Sequence, residues 1–216
     1  MTEYTLERIL KINDISIYWD YDTRAGGGSF GLDFLQVVKN RYGYNIPFAN
    51  CLECFSGSGI IGFGLLATGC CNTISFNDIY QGAITHIQKT VDNNPSISKK
   101  VEYYLGDNIQ SIPQDKKYDL IIGNPPHTIV PKERKDFLSS RLYHDEDYEI
   151  HKKFFAGVKN YLSENGIILL LEDFDKSQYT QFKDMANKEN LKINEVFAMD
   201  NQMFTRPYYY IEIVHK

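Results

Sequence analysis

Two hydrophobic rhythms alternate along residues 31–216. Leu32, Leu35, Val38 and Tyr42 recur at the spacing of one helical face and Gly43 follows as a stop, which predicts a helix over 32–42. Residues 49–55 read as a short β-rich run, 56–58 as a Gly/Ser turn, 59–68 as an apolar helix and Gly69 as its end. The same alternation predicts strands at 72–77, 101–105, 118–122 and 167–172, and helices at 80–92, 147–162 and 176–189, with Asn165-Gly166 as the stop before the fifth strand. Residues 192–199 and 207–215 read as an antiparallel pair closing the sheet edge. The expected fold class is α/β: a doubly wound, mixed seven-stranded sheet with that antiparallel pair at its C-terminal edge. Residues 1–30 hold two weak patterns and then Gly26-Gly27-Gly28-Ser29, so they are expected to be an N-terminal flap segment ahead of one domain over 31–216.

Composition narrows the class. With 216 residues, 43% hydrophobic and 24% charged, the chain is long and apolar enough for a core, which disfavours disorder and coiled coil. The longest aliphatic run, residues 167–171, is far short of the roughly 18 needed to cross a bilayer. The N-terminal residues lack the basic and apolar regions of a secretory signal, so a cytoplasmic location and no membrane partner are expected. Cys51, Cys54, Cys70 and Cys71 fall in or beside strands; the C-x-x-C spacing of the first two has no second pair or His pair near it, so buried packing is expected rather than a metal. The net charge of −5 makes nucleic acid a less favoured partner, because Lys and Arg supply most of the affinity for phosphate.

The strand end, turn and helix start at 53–62 carry the strongest chemistry. Gly57-Ser58-Gly59-Ile60-Ile61-Gly62 satisfies G-x-G-x-x-G, and Asp78 follows Gly59 by 19 residues at the end of the second strand. That arrangement puts a carboxylate where ribose hydroxyls lie, so a nucleoside-bearing ligand is expected; a nicotinamide dinucleotide is its literal reading. The third strand leads into Gly106-Asp107-Asn108, and the fourth into Asn124-Pro125-Pro126-His127. Ligands of doubly wound sheets bind beyond the carboxyl ends of the strands, the rim on which all these loops lie. Two prolines stiffen the last loop and donate nothing, so the carbonyls of Asn124 and Pro125 form an acceptor cluster suited to a planar NH₂.

The ordered set E-x-x-x-G-x-G, D, G-D and N-P-P resembles the class I S-adenosylmethionine (SAM) dependent methyltransferases, whose fold is Rossmann-like. Within them it is similar to the N-P-P branch of release-factor glutamine and amino-methyltransferases, and the glycine run also resembles that of ribosomal RNA guanine methyltransferases. The resemblance implies SAM as cofactor and S-adenosylhomocysteine as product. It implies that Glu53, Phe55, Ser56, Gly57, Ser58 and Gly59 surround the methionine part, and that Asp78 holds the ribose. Ile79 would lie on the adenine, Asp107 would accept from its amino group and Asn108 would flank it. It further makes Asn124, beside the cofactor, and the Pro125 carbonyl the groups that orient a target nitrogen.

His127 departs from the aromatic usual at that place. An imidazole can stack on a planar substrate, accept a proton or simply complete the loop. Substrate contacts are expected from Pro126 and His127 and from a flap bearing Trp19, Tyr21, Arg24 and Phe30, although Arg24 equally suits a solvated surface. Residues 128–149 are long for a connection and so a candidate lid; their Lys132, Arg134, Lys135 and Arg141 suit an acidic partner or a solvated face. Tyr208, Tyr209 and Tyr210 are expected to pack as strand residues. The expected activity is N-methylation of a planar or primary nitrogen of a small molecule or of a peptide or protein, with a protein partner as a further option. RNA or DNA amino-methylation, an NAD-linked oxidoreductase and a catalytically silent SAM-binding subunit are the alternatives.

Overall fold

The computed structural model describes residues 7–20, 23, 28–43, 47–127, 144–198 and 208–216, with the side chains of 28–31 excepted. The chain divides into two compact units, residues 1–107 and 108–216. In the first, β1 (Arg8–Ile12) and β2 (Ile15–Trp19) pair antiparallel, and α1 (Gly28–Tyr42) leads to β3 (Phe48–Cys54). Next come α2 (Ile60–Ala67), β4 (Cys71–Asp78), α3 (Gln81–Asp92) and β5 (Val101–Leu105). β3, β4 and β5 are parallel, in spatial order β5-β4-β3.

Parallel strands covered on both faces read as near-continuous apolar runs, which is why Cys51–Cys54 and Ile74–Asn77 are buried without alternation. The helix α2, Ile-Ile-Gly-Phe-Gly-Leu-Leu-Ala, is buried from Ile60 to Leu66 because it has no polar face to expose. By contrast α3 buries only Ala83, Ile84, Ile87 and Thr90, one stripe at helical spacing. All four cysteines are buried and none forms a disulfide.

The hairpin of β1 and β2 is where only weak patterns stood in the sequence. Ile15, Ile17 and Trp19 point into the core, and side chains of α3 and its end take up the backbone of β2. Asn94 accepts from the Ser16 N–H at 3.0 Å and donates to the Ser16 carbonyl at 2.9 Å, while Thr90 Oγ1 accepts from the Tyr18 N–H at 3.0 Å. An edge strand is thereby closed by side chains rather than by another strand.

The second unit contains β6 (Tyr118–Gly123), α4 (Glu149–Val158), β7 (Leu162–Asp173), α5 (Tyr179–Lys188), β8 (Leu191–Ala198) and β9 (Tyr208–His215). Their order is β6-β7-β9-β8; β6 and β7 are parallel, and β9 runs antiparallel to both neighbours. The fold class is therefore the mixed seven-stranded sheet with helices and an antiparallel C-terminal edge.

One boundary needs correction. The helix expected over 147–162 ends at Val158 and a short 3₁₀ turn, and β7 begins at Leu162 instead of residue 167. Tyr118 pairs with Leu162 but Leu120 with Ile167, so Asn165-Gly166 lies in a register irregularity and does not stop a helix. A Cβ on Gly166 would come within 2.9 Å of the Tyr118 carbonyl oxygen, so only glycine fits the bulge. Tyr209 and Tyr210 are both buried in β9 as strand residues. No helix among the described residues is long and apolar enough to cross a membrane.

Candidate active site

In the first unit, three parallel strands end on one rim and the loops leaving them are stitched together. The Ser56 N–H donates to the Asn77 carbonyl at 3.1 Å, the Gly106 N–H to the Asp78 carbonyl at 3.0 Å, and the Asn77 amide to the carbonyls of Tyr104 and Gly106. Asp78 is the knot. Its Oδ2 accepts from the Gly57 N–H at 2.8 Å, and its Oδ1 from the Tyr80 N–H at 2.8 Å, so one carboxylate fixes both the glycine turn and the entry to α3.

The turn is built for close approach. Phe55, a bulky residue, sits at φ 56, and Gly57 and Gly59 at φ 51 and 76, so the backbone here holds a conformation that side chains resist. A Cβ on Gly57 would run into the carbonyl oxygen of Thr23, and that same oxygen accepts from the Ser58 N–H at 3.2 Å. Thr23 is held in turn by Asp20, whose Oδ1 takes its N–H and its hydroxyl, each at 2.9 Å. The Ser56 hydroxyl oxygen is buried without a hydrogen-bond partner.

Glu53 is buried behind the turn, and its Oε2 accepts from the Gly62 N–H at 2.7 Å, at the N-terminal turn of α2. Burial pushes its carboxyl up to about 8, partly offset by that N–H and reinforced by nearby Asp78. Ile79 is 59% exposed beside Asp78, an apolar face open to a planar group. Asp107 is exposed. Trp19 is buried, with the Arg8 guanidinium 5.6 Å from its ring.

In the second unit the Asn124-Pro125-Pro126-His127 loop leaves β6 with both prolines buried. His127 Nε2 lies 3.0 Å from Asn124 Oδ1, and its Nδ1 lies 3.1 Å from Glu172 Oε2. Glu172, at the end of β7, also receives the Ser177 hydroxyl at 2.7 Å and His151 Nε2 at 3.0 Å, and His151 Nδ1 bonds to Asp145. Burial opposes the charge on Glu172, yet the charge of His151 and the bonds from both histidines bring it down to about 2. Burial likewise opposes charging of His151, but Glu172 and Asp145 hold it at about 9. Asn108 is buried at φ 68; its amide donates to the Ile150 carbonyl at 2.9 Å and its oxygen takes the Ile109 N–H, so it anchors the start of α4.

Of the residues singled out in the sequence, Glu53, Phe55 to Gly59, Asp78, Ile79 and Asp107 belong to the first unit; Asn108 and Asn124 to His127 belong to the second. Tyr21, Arg24, the Phe30 side chain and most of the candidate lid lie outside the described residues. Thr23, Asp145, His151, Glu172 and Ser177 were missed. Only Glu172 left a signal: a carboxylate directly ending the aliphatic run 167–171.

The fold has many solved relatives, and those of known activity that it matches include methyltransferases. A ribosomal protein L11 methylase from Lactobacillus delbrueckii subsp. bulgaricus superposes with a TM-score of 0.60 at 14% identity, over 88% of this chain and 80% of its own. The tRNA m1G37 methyltransferase of M. jannaschii superposes with a TM-score of 0.64 at 16% identity, over 99% of this chain and 56% of its own. In sequence, a release factor glutamine methyltransferase of Leptospira interrogans serogroup Icterohaemorrhagiae serovar Lai is 26% identical over 132 residues. That is 61% of this chain but 44% of the relative, so the match spans less than half of the relative's length. The chain belongs to the methyltransferase small domain family, whose profile matches residues 34–199, and SAM is the methyl donor of that class.

Proposed function

We propose that the chain transfers a methyl group from SAM to a planar or primary nitrogen of a small molecule or peptide, with Asn124 and the Pro125 carbonyl orienting that nitrogen. The observation that carries this reading is the Asn124 amide, held through His127 in a loop whose two buried prolines fix the backbone. The name of the glutamine methyltransferase relative, which specifies an amide side chain, supports the same class of acceptor.

The first unit offers features that fit the donor. The orphaned Ser56 hydroxyl and the glycine turn suit the amino-acid end of the cofactor, and Asp78 and exposed Ile79 suit its ribose and adenine. When bound, SAM supplies an electrophilic methyl group on a sulfonium. Asn124 and the Pro125 carbonyl would accept the N–H bonds of the acceptor nitrogen and so set the direction of its lone pair for in-line attack. Misplacement by an ångström costs about 100-fold. Asn124 has no useful pKa and therefore positions; the nitrogen sheds its proton to water after transfer.

Asn124→Ala is expected to lower turnover about 100-fold and leave the SAM Kd within about twofold. Labelled SAM offered with glutamine peptides, small amines and RNA oligonucleotides checks this. Transfer to RNA alone would replace the proposed acceptor with a nucleobase, against the −5 charge of the chain. Binding of NADH without SAM would sink the reading.

Glu53 adds a pH prediction. Raised from 4.5 to about 8, it carries a proton at neutral pH, and its contribution to stability is present below 4.5 and lost as pH rises through about 8. The cationic donor favours the ionised carboxylate, so SAM binding should expel roughly one proton near pH 7. Calorimetry in buffers of different ionisation enthalpy measures it, and Glu53→Gln should abolish the buffer dependence.

A further inference from the structure

The side chains running inward from Asn124 alternate acid and imidazole: His127, Glu172, His151, Asp145. Glu172, His151 and Asp145 are at most 1% exposed, whereas the His127 side chain is 15% exposed. We propose that Glu172, backed by His151 and Asp145, is a positioning residue that acts through His127 to decide which end of the Asn124 amide faces the acceptor. The amide then turns over as His127 gains or loses a proton. This rests on the reading of Asn124 as the group that orients the acceptor nitrogen.

An ionised carboxylate only accepts, so the bond between Glu172 and His127 Nδ1 keeps a proton on Nδ1 in every state. The variable atom is Nε2, 3.0 Å from the amide. With a proton, Nε2 donates to Oδ1 and turns the amide NH₂ to the opposite side. Without one, Nε2 can only accept, so the NH₂ must face it and the carbonyl turns outward. The two ends of an amide occupy the same space, and hydrogen bonding alone sets their order. An acceptor that offers N–H needs the carbonyl outward, so neutral His127 is the productive state.

The rest of the line keeps Glu172 an acceptor. Ser177 donates to Oε2 at 2.7 Å, and His151, stacked on Phe182 at 4.5 Å and held at about 9, occupies Oε1 throughout the neutral range. Among the described residues, Glu172 and Tyr208 face the His127 ring, Tyr208 with centroids 6.3 Å apart. Behind Glu172 stand His151, Asp145, Tyr148, Tyr209 and Asp173.

The test is a pH titration by ¹⁵N NMR of the full chain alone, following the imidazole nitrogens of His127 and the side-chain NH₂ of Asn124. The expected result is a neutral ring protonated at Nδ1, and amide resonances that shift with the same midpoint as the ring. Glu172→Gln should break that shared midpoint and let the ring return to the Nε2–H tautomer that free imidazole prefers. Amide resonances that stay still while the ring titrates, or a neutral wild-type ring protonated at Nε2, would overturn the proposal. The wild-type titration decides even if the variant does not fold. With an acceptor in hand, turnover should rise about tenfold per pH unit below that midpoint. SAM calorimetry on the same samples separates the two readings: a shared midpoint without SAM binding sinks the proposed function and spares the positioning role. SAM binding without the midpoint does the reverse.

Discussion

Replacing Glu172 with alanine should destabilise the second unit by about 3–5 kcal/mol, the cost of leaving a buried ion without its partner. The carboxylate is fully buried and accepts from three side chains, His151, His127 and Ser177, at 3.0, 3.1 and 2.7 Å. Its loss leaves the His151 imidazolium with Asp145 alone and opens a void beside it. The deficit should depend on pH in a fixed sense. His151, raised from 6.5 to about 9, contributes stability that is complete below 6.5 and lost as pH rises through about 9. Glu172, lowered from 4.5 to about 2, contributes stability that is complete above 4.5 and lost as pH falls through about 2. The pair is therefore worth most between 4.5 and 6.5. Urea denaturation of wild type and variant at about pH 6 and about pH 10 should show the larger gap at the lower pH. Equal gaps would mean that the two groups do not face each other as ions.

The contrast between what the chain announces and what it hides follows from the range of the interactions. The strand at 101–105 is found with the bounds that local pattern predicts, and α3 and the glycine turn fall within a residue or two, because apolar spacing and glycine placement are written over a few neighbours. The hairpin at 8–19 left only weak patterns, since part of what closes it comes from Asn94 and Thr90, more than 70 residues on. The line behind Asn124 is hidden for the same reason: Glu172 lies 45 residues from His127 and 21 from His151. A histidine inside an amphipathic helix carries no local sign of which carboxylate it meets. Asn165-Gly166 misleads in another way, because the same dipeptide ends helices and fills bulges, and only pairing with β6 decides between them.

Alanine at Asp78 should weaken SAM binding about 100-fold or more, roughly 2.7 kcal/mol, while the chain still folds. The two N–H groups that Asp78 takes, from Gly57 and Tyr80, both lie on the backbone that would face the donor, so one substitution loosens the turn and, on the proposed reading, also removes the acceptor for the ribose. A carboxylate oxygen carries two lone pairs, so accepting a backbone N–H does not by itself bar it from a further donor. Asp78→Asn should rescue little, because the amide nitrogen would meet one of those N–H groups donor to donor. Asp107, exposed at the neighbouring loop, should cost less when replaced, about tenfold, since on the proposed reading it would give the adenine amino group one exposed contact. Calorimetry with SAM and with S-adenosylhomocysteine ranks the three variants. If Asp78→Ala bound the donor within twofold of wild type, the glycine rim of the first unit could not be where the nucleoside lies, and the literal dinucleotide reading of the same motif would fall with it.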